Sequence, residues 1–474
     1  MICVASRILL PEVRRHRFAN DVFCRKKLEA DILRKTPHMF VHKISLRNIR
    51  GFESLEFDLA RPDGSYAGWT VFTGDNGSGK STLLKAIAVC LTGKDTARAL
   101  QPSFHRWIRH GSTGQQSSIE LQILRNDEDD KLTNQGKAPK KTIPFPAKIV
   151  LENGGRETTL IAETPSSVPN RSNYQTPDRT IWSTSAAGWF SCGYGPFRRV
   201  FGASPDAMQQ MVSPTTARFA TMFQEAASLA EADRWLRDLN YKKLENKQEE
   251  KLQLEILLEV LGDDLMPNLI RIDRIDSDGL WLVDRNGVQL AWSEMSDGYR
   301  AALALLTDII RHLMTAYGVE GLTARDTQGR LFIQRSGVVL IDEVDAHLHP
   351  EWQRTIGFWL KRHFPNIQFL VTTHSPIICQ AADPNGLFVL PEPGSDDLPK
   401  ALTPEDYQKV ISSRPDTILL TPAFNLDNTR SPRVVESRAE MARLEAKRRA
   451  GAVLSEGEER RKQQLLPFLS DEEL

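Results

Sequence analysis

The sequence predicts an α/β protein built on a mixed β-sheet, with an inserted helical arm and a helical C-terminal tail. A glycine-rich segment, Gly74–Ser81, lies between a short apolar run and an amphipathic helical pattern. Two later apolar runs are also followed by polar residues: Val338–Ile341 ends directly before two acids, and Phe369–Thr373 ends directly before a histidine. Residues 216–261 lack glycine and proline and have helical spacing, and the highly charged segment 430–474 also has a helical pattern.

The composition is that of a folded globular chain. Of the 474 residues, 40% are hydrophobic and 26% are charged, which supplies material for a large core and argues against wholesale disorder. A prior of about 150 residues per domain suggests roughly two to three domains. Lys plus Arg and Asp plus Glu each total 61, so the formal charge is zero. This balance does not support a global basic field for nucleic acid, although a local patch stays open.

Membrane, secretion and disulfide signals are weak. No apolar run approaches the roughly 18 residues that a membrane span needs. The apolar stretch Ile2–Leu10 is broken by Arg7, and no small-residue cleavage site follows it. The cysteines stand far apart and form no C-x-x-C pair; they are Cys3, Cys24, Cys90, Cys192 and Cys379. We therefore expect a cytoplasmic protein without a zinc ribbon or a disulfide framework.

Secondary structure can be assigned in order along the chain. Val41–Leu46 and Leu55–Leu59 alternate as two strands of a meander, and Trp69–Thr73 is predicted to be a short buried strand. Lys80–Leu91 is predicted to be a helix because its apolar residues share one face; they are Leu83, Leu84, Ile87, Ala88 and Leu91. Further expected elements are strands at 269–275, 280–283, 288–292, 338–341 and 367–372, and helices near 298–316 and 350–364.

The glycine-rich segment Gly74-Asp-Asn-Gly-Ser-Gly-Lys80-Ser81 matches the P-loop pattern G-x-x-x-x-G-K-[ST] in full, after a strand and before a helix. Glycines let backbone N–H groups turn inward on a polyphosphate, and the helix N-terminus adds a favourable dipole. Lys80 is expected to reach the β and γ phosphates of ATP, and the Ser81 hydroxyl to bind Mg²⁺. The predicted nucleotide-binding residues of this loop are Gly74, Asp75, Asn76, Gly77, Ser78, Gly79, Lys80, Ser81 and Thr82.

Paired carboxylates follow the buried run Val338–Ile341. A buried strand rarely ends in two acids without a cation nearby. Asp342 is expected near Mg²⁺, mostly through water. Glu343 is the candidate general base that polarises the attacking water. An ordinary strand-end turn is the alternative interpretation.

His374 comes directly after the last predicted strand. The carboxyl ends of parallel strands lie at one edge of a sheet, where ligands bind, so His374 is expected to contact the γ-phosphate and sense its loss. Lys80, Glu343 and His374 are the predicted catalytic residues. His347 and His349 are not a good chelating pair on a loop, so structural or interface roles are expected for them.

A second anion-binding turn is predicted at Ser293-Glu-Met-Ser296-Asp-Gly298-Tyr-Arg300, which precedes an apolar helix. Ser296 is a natural N-cap, and Gly298 permits close backbone approach. A simple N-cap would explain the pattern if it stood alone. Ser296 and Gly298 become further candidate nucleotide ligands only through the family resemblance that the order of the motifs indicates.

The order of these motifs resembles the head of ABC-type ATPases, in the branch that contains SMC-type and RecF-type proteins. Met295–Tyr299 is similar to the family signature Leu-Ser-Gly-Gly-Gln, from which Asp297 and Tyr299 depart. Ile44–Phe52 resembles the first strands of SMC-like heads and favours that branch over transporters. Asp342–Pro350 resembles stand-alone prokaryotic ATPases of AAA type, some of them found in anti-phage systems. The resemblance implies a P-loop NTPase fold of ABC type, with the turn 193–198 as a candidate Q-loop region.

In this family the signature of one subunit meets the P-loop nucleotide of another. A chain with one P-loop and one signature is therefore expected to work as a two-fold homodimer that ATP bridges and hydrolysis weakens. We expect an ATPase whose ATP-dependent dimerisation gates a partner protein or a DNA transaction. Alternatives are an ATPase subunit that regulates a nuclease in trans, as in Septu-type anti-phage systems, and a DNA-binding clamp with slow turnover.

The predicted organisation has five segments. Residues 1–38 form a basic extension, which is a docking arm, a capping helix or an upstream extension if translation begins at Met39. Residues 39–215 form an ATPase lobe with the P-loop, 216–265 a helical arm, and 266–425 a lobe with the signature, the acid pair and His374. Residues 426–474 form a charged helical tail, with a capping box at Ser455–Glu458.

Overall fold

The structure is a computed structural model that describes residues 38–466 except 62–64, 113–115, 134–141, 155–156, 164–174, 185, 199, 201–213, 226, 228, 267–269, 393–394, 396 and 398. The predicted N-terminal extension, residues 1–38, lies outside the described residues apart from His38.

The strands are β1 (Phe40–Ile49), β2 (Phe52–Asp58), β3 (Trp69–Thr73), β4 (Ser117–Leu124), β5 (Phe145–Asn153), β6 (Thr158–Glu163), β7 (Ser191–Tyr194), β8 (Arg271–Asp276), β9 (Gly279–Val283), β10 (Gln289–Ala291), β11 (Thr323–Arg325), β12 (Leu331–Ile333), β13 (Gly337–Ile341), β14 (Ile367–Thr372), β15 (Leu387–Val389) and β16 (Lys400–Ala401).

The helices are α1 (Lys80–Leu100), α2 (Pro214–Ala217), α3 (Ala220–Phe223), α4 (Ala230–Leu244), α5 (Gln248–Gly262), α6 (Asp297–Tyr317), α7 (Pro350–His363), α8 (Pro376–Cys379), α9 (Pro404–Ser412), α10 (Pro415–Leu419), α11 (Pro432–Arg449) and α12 (Glu456–Leu465).

The central sheet carries the predicted site. Its strand order is β16-β15-β3-β14-β13-β7, and all neighbours except β15 and β16 are parallel. The strand before the P-loop, β3, and the strand before the acid pair, β13, are separated by β14. The carboxyl ends of these strands therefore lie at one edge. This arrangement confirms the predicted α/β class and its mixed sheet.

Alternate residues of the central strands face opposite layers, as the period of two requires. Val71, Ile341 and Val371 belong to a core shared with α4, α5, α6 and α7. Phe72, Leu340 and Leu370 belong to a second core, which α1 shares with the antiparallel sheet β2-β1-β4-β5-β6. Gln368 joins the two sheets, because its amide accepts from the Val41 N–H at 2.8 Å and donates to the Val41 carbonyl at 3.2 Å.

Helix α1 runs further than its sequence predicts. It continues to Leu100, past a kink at Gly93, which has a φ of 78°. A side chain at Gly93 would place its Cβ 2.8 Å from the ring of Trp182, so glycine is required there. The helix is buried around most of its circumference because it lies between two sheets. Packing on both sides therefore outweighs the helix-breaking tendency of glycine.

The predicted arm contains the antiparallel pair α4 and α5, which packs on the core instead of standing clear of it. Leu236, Leu239, Leu257 and Val260 are fully or almost fully buried in this layer. The charged tail contains α11 and α12, joined by the predicted capping box, in which the Ser455 hydroxyl accepts from the Glu458 N–H at 3.3 Å. Among the described residues, no helix has the length and apolar character needed to cross a bilayer.

A buried charge network ties α6 to the central sheet. The Asp308 carboxylate accepts from the Tyr194 hydroxyl of β7 at 3.0 Å and from Arg311 at 2.7 Å, and it lies 3.3 Å from His312. Burial opposes ionisation of Asp308, but the charges of His312 and Arg311 outweigh it and hold the pKa of this carboxyl well below its usual range. Asp308 is therefore a charged anchor between the helix and the strand next to the acid pair.

We expect Asp308→Asn to lower the free energy of unfolding by about 1.5–3 kcal/mol, because it removes a buried carboxylate that pairs with Arg311 and His312 and leaves Arg311 with Glu231 as its acidic partner. Urea denaturation at neutral pH measures this change as a lower midpoint. The pKa of Asp308 is depressed in the folded state, so its contribution is complete above the unfolded-state pKa of roughly 4 and is lost as the pH falls towards the folded value. The difference between wild type and variant should therefore shrink in acid.

The matched control is Asp326→Asn, which removes an acid that pairs with Arg330 at a surface turn. Its effect should be much smaller because water can solvate the arginine left behind. Equal losses for the two variants would contradict the role assigned to Asp308.

Candidate nucleotide-binding site

The loop between β3 and α1 has the backbone of an anion cradle. Gly74, Gly77 and Gly79 have φ values of 142°, 85° and 92°. A Cβ on Gly79 would lie 2.4 Å from the ring of Phe52, and one on Gly74 would lie 2.8 Å from the Ser78 hydroxyl. Both the conformation and the space therefore require glycine, as the motif predicted.

The side chain of Lys80 lies along this loop. Its ammonium group donates to the carbonyls of Gly74 at 2.7 Å and Asp75 at 2.9 Å. Burial lowers the pKa of Lys80, and nearby acids, of which Asp342 and Glu343 act most strongly, partly offset that shift. The structure thus brings the P-loop lysine and the predicted acid pair, far apart in sequence, into one electrostatic environment.

The start of α1 fits a phosphate group and a hard cation. The Ser78 hydroxyl is buried and has no hydrogen-bond partner in the part of the chain that the structure describes. The first N–H groups of a helix have no partner within the helix and point out of its N-terminal end, where they favour an anion. Ser81 and Thr82 follow in the first turn and are half-buried. Hydroxyl and carboxylate oxygens are ligands that Mg²⁺ prefers, which suits the pair Ser81 and Asp342.

The acid pair is held at the end of β13 by Thr372 of β14. The Thr372 hydroxyl donates to the Asp342 carboxylate at 2.6 Å and accepts from the Glu343 N–H at 2.7 Å. Asp342 is 1% exposed, whereas Glu343 is half-buried and has a positive φ of 46°. One hydroxyl therefore orients the buried acid and the backbone of its neighbour.

Sequence reasoning missed the role of Arg198, although the turn that contains it was noted as a candidate Q-loop region. Arg198 is 4% exposed, and its guanidinium donates to backbone carbonyls of residues 342–346, which we call the acid turn. Burial lowers its pKa to about 10, and the acids Asp345, Asp342 and Glu343 oppose that shift. Arg198 therefore remains charged at neutral pH.

His374 lies at the predicted sheet edge, two residues after the end of β14, and its side chain is exposed. Its neighbours are fixed: the Thr373 hydroxyl donates to Asp345 and accepts from the Ser375 N–H at 2.9 Å. A contact between His374 and a γ-phosphate stays a prediction. His349, considered and disfavoured as a metal ligand, is the N-cap of α7 and accepts from the Glu351 N–H at 3.3 Å.

The signature-like segment lies against the turn that follows the acid pair. A Cβ on Gly298 would be 2.3 Å from the carbonyl oxygen of His347, so α6 begins in close backbone contact with that turn. Ser296 is in the N-cap position, but its exposed hydroxyl makes no capping hydrogen bond. Among the described residues, no hydrogen bond joins Ser296 to the P-loop of the same chain.

Comparison with known proteins gives a family match across these motifs. A family model described as "AAA domain, putative AbiEii toxin, Type IV TA system" matches residues 69–380. A Septu protein PtuA from Bacillus mycoides (strain KBAB4) is 27% identical over 342 residues, which are 71% of this chain and 38% of the relative. This chain thus spans less than half the length of that relative.

A protein named "Retron Vc95 probable ATPase" from Vibrio cholerae serotype O1 biovar El Tor is 24% identical over 381 residues, with 71% of each chain covered. Among solved structures, an SMC head bound to the C-winged helix domain of ScpA has a TM-score of 0.43 and 17% identity, covering 78% of this chain and 99% of that chain. The family match runs from the strand before the P-loop to the helix after His374, and the chain therefore belongs to this AAA-domain family, which confirms the resemblance to prokaryotic AAA-type ATPases that its motifs indicated.

Proposed function

We propose that the chain binds ATP with Mg²⁺, hydrolyses it between two copies of itself, and thereby gates an effector protein. The observation that supports this most is the convergence of the P-loop, the acid pair and His374 at one sheet edge, with Lys80 in the field of Asp342 and Glu343. The site residues predicted from sequence keep their proposed roles in this account.

In this proposal, backbone N–H groups and the charge of Lys80 bind the phosphates of the nucleotide. The N–H groups of the loop 74–79 and of the first turn of α1 cradle the phosphates, while Lys80 exchanges its two carbonyl partners for phosphate oxygens. Ser81 and Asp342 would hold Mg²⁺, the second mostly through water. The chemistry that the ion would supply there is neutralisation of phosphate charge.

Hydrolysis depends on Glu343. Its carboxylate accepts a proton from a water molecule as the water oxygen attacks the γ-phosphorus, and ADP departs with the electrons of the broken P–O bond. Thr372 keeps the Glu343 backbone in place through the bond at 2.7 Å. His374 contacts the γ-phosphate and distinguishes the states before and after cleavage.

The exposure of Ser296 supports dimerisation. Its side chain is exposed and its hydroxyl makes no capping hydrogen bond, which suits a contact with the nucleotide of a second copy. In a two-fold dimer, Ser296 and Gly298 of each copy meet the P-loop nucleotide of the other. Loss of the γ-phosphate removes part of that bridge, which makes the dimer a switch.

The downstream role is inferred from relatives named for Septu and retron systems. We place the protein in the cytoplasm, where ATP-dependent pairing would regulate an effector such as a nuclease in trans. A DNA-binding clamp with slow turnover is the alternative. Clamp binding would weaken steeply with salt, because phosphate contacts release counterions.

We expect Glu343→Gln to bind ATP with near wild-type affinity but to hydrolyse it at least about 100-fold more slowly, because general-base catalysis typically contributes 10²–10⁴. Phosphate release measures the rate, and light scattering with and without ATP measures the mass. The variant should accumulate as an ATP-bound dimer. Hydrolysis at the normal rate would remove Glu343 from its role, whereas Glu351→Gln, in the first turn of α7, should be unaffected.

We expect Ser296→Arg, in a Glu343→Gln background, to reduce ATP-induced dimer at least about tenfold, since an unpaired charge in an interface costs more than ~1.4 kcal/mol. Monomeric ATP binding should be retained because Ser296 is not part of the P-loop of its own chain. Ser412→Arg, at the exposed end of α9, is the matched control. A Ser296→Arg variant that still dimerises would refute the proposed interface.

A further inference from the structure

Arg198 makes an unusual set of hydrogen bonds. One guanidinium nitrogen donates to the carbonyls of Gly195 at 3.2 Å and Asp342 at 2.8 Å. The other donates to the carbonyls of Glu343 at 2.9 Å, Ala346 at 3.3 Å and Val344 at 3.5 Å. A fixed fork of N–H donors thus spans nearly every carbonyl of the turn 342–346. Lysine, with one compact ammonium group, could not reach all of them.

The turn that Arg198 holds needs support. Glu343 has a φ of 46°, a conformation that non-glycine residues rarely adopt and that persists where its surroundings over-determine it. Its N–H donates to Thr372, and its carbonyl accepts from Arg198 and from the Ala346 N–H at 2.8 Å. Both backbone polar groups of Glu343 are therefore fixed, and Arg198 supplies the only charged donor among these contacts.

Arg198 also belongs to a segment that contacts the rest of the site. Four residues earlier, the Tyr194 carbonyl accepts from the Asp342 N–H at 2.8 Å, and the Tyr194 hydroxyl donates to Asp308 of α6. Residues 194–198 thus hydrogen-bond to the acid turn, and Tyr194 contacts the helix whose N-cap is Ser296. No described contact places Arg198 itself on the P-loop.

We propose that Arg198 is a positioning residue, whose guanidinium holds the backbone of Asp342–Ala346 so that the Glu343 carboxylate keeps the direction needed for proton transfer. This inference rests on the proposed hydrolysis. A misplacement of about 1 Å in a catalytic group can cost 10²-fold in rate, and the fork prevents such a shift. The competing explanation is that Arg198 only stabilises the fold.

The test compares Arg198→Ala and Arg198→Lys with wild type. We expect Arg198→Ala to lower kcat by about 100-fold while the ATP affinity, measured by equilibrium titration, changes by less than about threefold. Added guanidinium chloride, far below denaturing concentration, should restore part of the rate, because it fits the space left by the side chain. Urea at the same concentration has the shape without the charge and should not. Arg198→Lys should be intermediate.

A second measurement does not depend on activity. Hydrogen exchange should rise in Arg198→Ala at the N–H groups of Val344 and Ala346, which are bonded to Thr372 and Glu343 in the structure. The control is Arg335→Ala, which removes a partly buried arginine bonded to Asp129 and Glu320. It should leave both kcat and exchange in the acid turn unchanged.

The outcomes separate cleanly. Wild-type kcat in Arg198→Ala, or a loss that follows only the unfolded fraction and resists guanidinium, would overturn the inference. Absence of hydrolysis in wild type would instead overturn the proposed function, and hydrogen exchange would still report whether Arg198 holds the turn. Unchanged exchange in Arg198→Ala would refute that holding role directly.

Discussion

The parallel alignment of β3, β14, β13 and β7 is the constraint on which the site depends. Phe72 is paired with Thr372, Val371 with Ile341, and Ile341 with Tyr194, so these strands end at nearly the same level. The residues that follow them therefore meet without any further adjustment of the chain. A one-residue shift in register would turn the side chain of Thr372 to the opposite face and separate the acid pair from its support.

The buried charged side chains near this sheet edge each have polar or oppositely charged partners. Asp342 is almost fully buried and is reached by a hydroxyl and by the field of Lys80, while Arg198 places its charge against carbonyl dipoles. Isolated charges would be too costly in such surroundings. The acid turn consequently depends on all of these partners together. If one were removed, a buried charge would be left without compensation, and the folded state would be less stable.

Helix α6 contacts the turn after the acid pair and also β7, the strand beside it. Its N-cap is the exposed Ser296, its first turn packs through Gly298 against the His347 carbonyl, and Asp308 anchors it to Tyr194. In the proposed cycle, a second copy that docks on Ser296 would therefore contact a helix that is hydrogen-bonded to Tyr194, whose carbonyl in turn accepts from the Asp342 N–H. Coupling between pairing and hydrolysis then needs only small displacements of packed elements.

The sequence by itself predicted the P-loop segment, the acid pair, the place of His374 and half of the described strands, because each depends on neighbours along the chain: glycines at fixed spacing, or an apolar run that ends in polar residues. Only the tertiary structure decided what holds them. Arg198 and Asp342 are 144 residues apart, and Thr372 is 30 residues from Asp342. The passage of α1 beyond Gly93 and the packing of α4 and α5 on the core were likewise decided by burial between layers. Hydrogen bonds and packing across such separations form when the sheet assembles, and no local pattern encodes them.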